Sequence, residues 1–207
     1  MSRKWIILDA MGVVFEIGQT ITELLIPLLQ EKTENISINK VKELYYKAKL
    51  GQITSINFWQ NLGFESEYPE IEREYLDKIR LDPDFKEFAV ELKKNFHLAM
   101  LSNDVKEWSS YVRSKFNVNK FFDVVITSGD VGLSKPDKRI FNALLKKIGT
   151  TSDNCIFVDD KLVNLSPASE LGFKTIRFLR KNIKVPFCSE FEVSNFKELN
   201  NMIRTFY

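Results

Sequence analysis

The sequence has little of several residues on which common kinds of protein depend. Of its 207 residues, one is histidine, His97, and two are cysteine, Cys155 and Cys188. Two cysteines make no disulfide framework, and Cys155 lies in an apolar run where a thiol behaves as a small hydrophobe. We therefore expect a reducing, cytoplasmic setting. His97 falls within a strand-like segment, which favours a structural role over a catalytic one.

Long apolar runs and an excess of one charge are also missing. No apolar stretch reaches eighteen residues, and the first residues lead directly into a short apolar segment. Neither a membrane span nor a signal peptide is therefore expected. Thirty basic residues nearly balance twenty-eight acidic ones, and the net charge of +2 argues against a nucleic-acid partner. The composition suits a globular domain, or a core that carries a smaller insert.

Short apolar runs alternate with segments of helical period. The first run is Trp5-Ile6-Ile7-Leu8, and runs of similar length cover residues 96–101, 123–126, 155–158 and 175–178. This alternation predicts an α/β fold, a doubly wound parallel sheet with helices on both faces. The tail indicates an edge strand at residues 190–193 and a last helix at residues 196–203.

The interval of residues 16–82 breaks this alternation. Its apolar residues recur at helical spacing with no convincing strand between them, which predicts a helical insert between the first and second strands. Asp82-Pro83-Asp84 marks the point where the chain returns from the insert to the alternation of strands and helices, because proline resets the backbone and aspartate can cap the following helix. We expect a core domain of residues 1–15 and 83–207 and a small helical domain of residues 16–82.

Polar residues follow the apolar runs where a parallel sheet places its ligands, outside the carboxyl ends of the strands. Asp9 follows the first run, Ser102 the second, and the pair Asp159-Asp160 the fourth, while Lys135 lies in a loop after the third. Phosphoryl transfer through an aspartyl intermediate requires such groups. A carboxylate that attacks a phosphate dianion needs a metal and a cation to offset the like charges.

The order of these residues resembles the four motifs of the haloacid dehalogenase superfamily, whose members are mostly phosphatases. The resemblance covers roughly residues 1–15 and 84–180. The insert occupies the position of the small helical cap of subfamily I, of the C1 type, and Gly51-Gln52-Ile53 resembles a cap turn of the dehalogenase-like and glucose-1-phosphatase-like branches. The sequence details on which the resemblance of the core rests are Leu101-Ser102-Asn103, Ser134-Lys135-Pro136 with Ile140-Phe141, and Phe157-Val158-Asp159-Asp160.

The resemblance implies a role for each catalytic position. Asp9 is the nucleophile, and Ser102, followed by Asn103 in the same motif, donates a hydrogen bond to the transferring phosphoryl group. Lys135 neutralises the nucleophile and the developing charge. On the residues alone, Ser102 and Asn103 are also compatible with a helix cap.

The same resemblance implies that Mg²⁺ is the cofactor and a small phosphorylated molecule the substrate. The ion would take the Asp9 carboxylate, the backbone carbonyl of Met11, Asp160 and waters, since magnesium prefers an octahedral shell of oxygen. Asp159 orients the ion or its water. Asn164 either hydrogen-bonds the same loop or starts a helix. The cap selects the substrate, and it offers polar candidates at Gln19, Gln52, Asn57 and Gln60.

Met11 departs from the family pattern. Phosphatases of the superfamily usually carry a second aspartate there, two residues after the nucleophile, which protonates the leaving oxygen and later activates water. A thioether cannot exchange that proton. Loss of general acid-base help, worth roughly 10²- to 10⁴-fold, raises the barrier by about 3 to 5 kcal/mol. The sequence therefore predicts a steep dependence of rate on the leaving group.

Two alternatives involve other chemistry. In a 2-haloacid dehalogenase Asp9 attacks carbon, the halide leaves without a proton, and an apolar residue at Met11 is expected. Dehalogenases, however, have serines at the position of Asp159-Asp160. They also use an arginine early in the cap, whereas no arginine lies between Arg3 and Arg73. A phosphonate hydrolase needs a Schiff-base lysine from the cap, for which the sequence offers Lys40, Lys42, Lys47 and Lys49.

A third alternative is a catalytically impaired member of the family that serves as a binding or regulatory protein. Retention of Asp9, Lys135 and the acidic pair counts against it. The oligomeric state is not predicted by any feature of the sequence.

Overall fold

A computed structural model describes residues 3–180 and 191–206. In this part of the chain six strands form one sheet of order β3-β2-β1-β4-β5-β6, and every neighbouring pair is parallel. The predicted α/β fold is therefore confirmed. Part of the predicted edge strand, including Glu190, lies outside the described residues, as does Cys188. The strands are β1 Trp5–Leu8, β2 His97–Ser102, β3 Val124–Thr127, β4 Cys155–Asp159, β5 Lys174–Phe178 and β6 Glu192–Val193.

Helices fill the connections between the strands. A π-helical segment, Ile21–Leu25, runs directly into α1, and two short 3₁₀ segments cover Asn119–Phe121 and Ser152–Asn154. The helices are α1 Ile26–Lys32, α2 Ile38–Lys49, α3 Ser55–Leu62, α4 Glu70–Leu76, α5 Phe85–Leu92, α6 Lys106–Lys115, α7 Ser128–Val131, α8 Lys138–Ile148, α9 Leu162–Glu170 and α10 Phe196–Thr205.

The alternation of side chains along β1 divides the core between the two faces of the sheet. Ile6 and Leu8 point into a large apolar cluster that includes residues of α5, α6 and α10. Ile7 points into a second cluster with residues of α8 and α9. Because helices cover both faces, the interiors of the central strands are apolar, as expected for a buried parallel sheet.

Helices α1 to α4 lie between β1 and β2, within residues 16–82. Helix α4 was not predicted, because its first turn is rich in glutamate and its apolar pattern is short. The two ends of the insert run side by side: Glu16 N donates to Arg80 O at 3.0 Å and Asp82 N to Val14 O at 3.1 Å. Of the two aspartates in the segment predicted to cap α5, Asp84 makes no side-chain cap, and Asp82 Oδ1 accepts from Asp84 N at 2.9 Å.

Aromatic side chains join the insert to the sheet domain. The indole of Trp108 on α6 packs edge-on against Phe58 and Tyr75 of the insert, with centroid distances of 5.3 and 5.1 Å. The backbones also approach closely, since a Cβ built on Gly51 would lie 2.4 Å from Gly129 O. Only glycine fits at Gly51, whose φ is +68°.

Two remaining features bear on the sequence predictions. His97 begins β2, at the opposite end of the strand from Ser102, and stacks on Trp5 at a centroid distance of 4.7 Å. This placement fits the structural role predicted for it. Cys155 is a buried free thiol. No described helix combines the length and apolar character that crossing a bilayer requires.

Candidate active site

The carboxyl ends of the central strands meet at one edge of the sheet. The register pairs Leu8 of β1 with Met100 of β2 and with Val158 of β4, so the residues that follow share one end of the sheet. A cleft of about 310 Å³ opens there. Its lining includes Asp9, Met11, Ser102, Asn103, Asp104, Lys135, Lys161 and Asn164 from the sheet domain and Gln19, Thr20, Tyr45 and Lys49 from the insert.

Lys135 is the electrostatic centre of this edge. Its Nζ lies 2.8 Å from Asp9 Oδ1 and 2.7 Å from Asp159 Oδ2, and the side chain is fully buried. Burial alone would lower the pKa of Lys135, but the two carboxylates, Asp159 and Asp9, raise it above its ordinary value. The ammonium group is therefore held charged between two acids.

Asn103 fixes the loop that carries Lys135. Its Nδ2 donates to Lys135 O at 2.7 Å, and its Oδ1 accepts from Lys135 N at 2.8 Å. The helix-cap alternative for Ser102 and Asn103 is wrong, because α6 begins only at Lys106 and Val105 precedes it. Ser102 Oγ is buried at the cleft and has no hydrogen-bond partner among the described residues.

Asp9 is buried and presents its two oxygens differently. Oδ1 accepts from Ala10 N at 2.7 Å and contacts Lys135, so Oδ2 is the oxygen left for chemistry. Burial, and then the negative charge of Asp159, raises the pKa of Asp9 to about 6. A carboxylate in such surroundings is ionised at neutral pH but poorly solvated, which suits a nucleophile.

The two aspartates that end β4 have opposite environments. Asp159 is fully buried and satisfied: Asn164 Nδ2 donates to both of its oxygens at 3.0 Å, and Lys161 N donates to Oδ1 at 2.8 Å. Asn164 therefore hydrogen-bonds the loop that carries Asp159, which is the first of the two roles that the sequence left open for it. Asp160 Oδ1, by contrast, is buried with no partner among the described residues. Burial, and then Asp9, raises the pKa of Asp160 to about 7.

The acidic residues fit a hard divalent cation. Asp9, Asp159 and Asp160 each offer one oxygen, and these three oxygens lie within 4.8 Å of one another. Asp160 Oδ1 is a buried polar atom without a hydrogen-bond partner among the described residues, which is costly unless a cation contacts it. Backbone crowds this carboxylate, since a Cβ on Gly12 or on Gly18 would lie 2.6 Å from Asp160 Oδ2. Asp160 borders an adjoining cavity of about 340 Å³ rather than the main cleft.

Several cleft residues were not found by sequence reasoning. Asp104 follows Ser102-Asn103 directly, but no pattern shows that its side chain turns into the cleft. Tyr45 reaches the cleft from α2, and its side was marked only by helical spacing; Lys49 of the same helix, one of the four lysines that the sequence offered, also lines the cleft. Of the four polar candidates in the insert, Gln19 lines the cleft, whereas the described lining does not include Gln52, Asn57 or Gln60.

Comparison with known proteins agrees with this geometry. Residues 4–172 match the family model of haloacid dehalogenase-like hydrolases. The chain is 34% identical over 110 residues to drimenol cyclase drtB of Aspergillus calidoustus, covering 51% of the chain and 21% of that protein. It is 31% identical over 104 residues to a glyceraldehyde 3-phosphate phosphatase of Methanocaldococcus jannaschii, covering 48% of the chain and 45% of that protein. The chain thus spans less than half the length of these two relatives.

A solved structure gives the corresponding likeness of fold. It is a HAD family enzyme of Bacteroides thetaiotaomicron in complex with magnesium and inorganic phosphate. The TM-score is 0.70 at 19% identity, with 88% of this chain and 98% of that chain covered. At such identity the likeness establishes the fold.

Proposed function

Because the chain belongs to the family of haloacid dehalogenase-like hydrolases, we propose that it is a magnesium-dependent phosphatase of a small phosphomonoester. The observation that carries this proposal is the buried contact of Lys135 with both Asp9 and Asp159, next to an unpartnered Asp160 oxygen. The ion pairs of Lys135 balance only part of the negative charge of the three carboxylates, so the site has room for a metal and a phosphoryl group.

In the proposed reaction Asp9 Oδ2 attacks phosphorus, and the bond to the leaving oxygen breaks to give an aspartyl phosphate. Lys135 holds Asp9 in place through Oδ1 and offsets the charge that develops on the phosphoryl oxygens. The free Oγ of Ser102 donates to one of those oxygens. Asn103 has a positioning role, because it contacts the backbone of Lys135.

Magnesium would be held by Asp9, by Asp160 and by the backbone carbonyl of Met11, with Asp159 fixing the arrangement from behind. When bound, the ion supplies positive charge to the attacking carboxylate and to the phosphoryl oxygens. Asp159 already accepts hydrogen bonds from Asn164 and contacts Lys135. Because these contacts occupy both oxygens of Asp159, we assign Asp159 to holding the arrangement in place and Asp160 to binding the ion directly.

The helical insert acts in this proposal as a cap that selects the substrate. Tyr45 and Lys49 of α2, together with Gln19, close one side of the cleft. The relatives named above include a phosphatase of glyceraldehyde 3-phosphate, so a small phosphorylated molecule is the substrate class that we propose. Closure of the cap would exclude water from the aspartyl phosphate until the hydrolysis step.

A second candidate function is supported by Lys49. Of the four lysines that a phosphonate hydrolase would need for a Schiff base, Lys49 is the one that lines the cleft. Burial, and then the charge of Lys161, lowers the pKa of Lys49 below its ordinary value, which favours the neutral amine. The amine would condense with a substrate carbonyl, releasing water. Asp9 would then form a bond to phosphorus while the carbon–phosphorus bond breaks, and the imine would accept the electron pair of that bond.

Hydrolysis of nitrophenyl phosphate with magnesium and with a chelator tests the main proposal. We expect release of nitrophenol that depends on magnesium and is lost in Asp9→Asn. Equal rates with metal and with chelator would contradict metal dependence, and halide release from a 2-haloacid under chelation would favour the dehalogenase. Borohydride trapping of Lys49 by a phosphonate that carries a carbonyl would favour the second candidate. Absence of turnover with all of these substrates would favour a binding protein.

A further inference from the structure

We propose that Asp104 gives the proton to the leaving oxygen and later takes one from the attacking water, the role that Met11 cannot fill. This assignment rests on the proposed phosphatase function and concerns the same cleft. It differs from the family arrangement, in which the acid-base carboxylate lies two residues after the nucleophile. Here the carboxylate would come instead from the loop after β2.

The placement of Asp104 is the first support. Its side chain lines the cleft together with Asp9 and Met11 and is 6% exposed. Oδ1 accepts from Val105 N at 2.8 Å, whereas Oδ2 is buried with no partner among the described residues. An unpartnered buried carboxyl oxygen is costly, and sites of this kind occur where a substrate supplies the missing contact.

The backbone of Asp104 is held on both sides, so the carboxyl group has a fixed position. Its N–H lies 3.0 Å from Ser128 Oγ, and its carbonyl oxygen accepts from Gly129 N at 3.2 Å. Ser128 Oγ in turn donates to Lys49 O at 2.6 Å. The loop that carries Asp104 is thereby tied to the insert at the rim of the cleft.

The charges around Asp104 suit proton exchange near neutrality. Burial raises the pKa of Asp104 to about 7, against the opposing effects of the Val105 N–H and Arg113 and with a further increase from Asp9. Tyr45 and Tyr75 also face it, and both remain neutral because burial raises the pKa of each above its ordinary value. A general acid works best when its pKa lies near the operating pH.

Other titratable groups of the cleft are poorer candidates. Tyr45 holds its proton too tightly, and Lys135 is engaged by Asp9 and Asp159. Lys49 borders the cleft from the half-buried end of α2. Asp9 is the proposed nucleophile, which leaves Asp104 as the other carboxyl group in the cleft lining.

The proposed proton transfers balance over the two steps. In the first, the carboxyl proton of Asp104 passes to the leaving oxygen as its bond to phosphorus breaks, which gives an alcohol, aspartyl phosphate and the Asp104 carboxylate. In the second, water attacks phosphorus and loses a proton to that carboxylate. The bond between phosphorus and Asp9 then breaks, and inorganic phosphate, ionised Asp9 and protonated Asp104 result.

A leaving-group series measured on the unmodified protein tests the assignment without any variant. The probes are dinitrophenyl, nitrophenyl and phenyl phosphate with magnesium, and kcat/KM is followed because it reports the first transfer. Protonation by Asp104 predicts a shallow fall of kcat/KM as leaving-group pKa rises, in contrast to the steep fall predicted from Met11. A steep fall would overturn the assignment while leaving the phosphatase proposal intact.

Asp104→Asn makes the test specific, since the amide keeps an acceptor for Val105 N but cannot exchange the proton. We expect kcat/KM to drop by roughly 10²- to 10⁴-fold for phenyl phosphate and to change little for dinitrophenyl phosphate, whose leaving group needs no proton. The fall of activity that accompanies deprotonation of Asp104 should also disappear from the pH profile with phenyl phosphate. Asp130→Asn, an exposed carboxylate that pairs with Lys106, is the matched control and should leave the series unchanged.

Equal losses for the two leaving groups in Asp104→Asn would assign Asp104 a merely structural role and overturn the proposal. No loss for either would overturn it as well. If Asp104→Asn does not fold, the series on the unmodified protein still decides. Absence of hydrolysis of every aryl phosphate by the unmodified protein would instead contradict the phosphatase function itself.

Discussion

The indole Nε1 of Trp108, on a helix of the sheet domain, donates to Oε2 of Glu72, on a helix of the insert, at 2.7 Å. The same oxygen accepts from Trp59 Nε1 at 2.8 Å. Both indoles are almost completely buried, so this carboxylate satisfies two donors that have no access to water. Glu72 therefore joins the insert to the sheet domain through a polar contact inside an aromatic cluster.

Glu72→Ala should destabilise the fold by about 2 to 6 kcal/mol, because two buried N–H groups would lose their acceptor at about 1 to 3 kcal/mol each. Urea unfolding measures the change in free energy. The matched control is Glu74→Ala on the same helix, whose ion pair with Lys32 is exposed and worth about 0 to 1 kcal/mol. Equal losses in the two variants would contradict the buried contact.

Asp9→Asn should abolish phosphatase turnover, with a loss on the order of 10³-fold or more, because an amide oxygen does not form the phosphoryl intermediate. Stability should be kept or slightly increased, since the pKa of Asp9 is raised to about 6 and a neutral group removes the cost of burying its charge. Activity and melting temperature are measured together. Asp137→Asn, an exposed carboxylate that pairs with Arg139, is the control and should keep activity.

Magnesium should stabilise the protein more at pH 8 than at pH 5. The pKa values of Asp9 and Asp160, about 6 and about 7, exceed the ordinary value of 3.8. Without metal, their contribution to stability is fully present below pH 4 and is lost as pH rises through 6 to 7. Metal offsets this loss where the carboxylates are ionised, whereas protons compete with it at low pH.

Thermal unfolding with magnesium and with chelator across this pH range measures the effect. Saturation at a hundred times the dissociation constant corresponds to about 2.7 kcal/mol. Asp160→Asn should remove most of the shift in melting temperature. A shift that is the same at both pH values, or that persists in the variant, would contradict a metal site at Asp160.

Gly18→Ala should weaken magnesium binding without unfolding the protein. The added Cβ would lie 2.6 Å from Asp160 Oδ2 and force that carboxylate to move, whereas the Gly18 backbone is not in the left-handed region. Displacing a ligand group costs on the order of 10- to 100-fold in metal affinity. Titration calorimetry gives the affinity.

Gly63→Ala is the control for this substitution. Gly63 has φ +90° and nothing within 4 Å of an added Cβ, so alanine there should cost about 1 kcal/mol of stability and leave magnesium affinity unchanged. If Gly18→Ala binds magnesium as tightly as the parent protein, Asp160 Oδ2 does not need its observed position.

The sequence predicted the fold because the relevant signals are local. Apolar runs of strand length, such as Trp5-Ile6-Ile7-Leu8, and helical periods between them specify a buried parallel sheet. The carboxyl ends of parallel strands converge, so polar residues that follow the strands were predicted to share one edge. Asp9, Ser102 and Asp159 do lie there, and Lys135 contacts two of the three carboxylates of the acidic cluster.

Contacts between distant segments were decided only by the tertiary structure. Asp159 and Asp160 are adjacent residues of one type, which only the family resemblance distinguished; in the fold, Lys135 and Asn164 satisfy the first and leave an oxygen of the second without a partner among the described residues. Similarly, the sequence did not select Lys49 among four lysines. Strand register and helix packing fix such distances, and they depend on how whole faces bury their apolar side chains. Local periodicity gives the face on which a side chain lies but not which group it meets, so the environment of Asp104 could be known only from the folded chain.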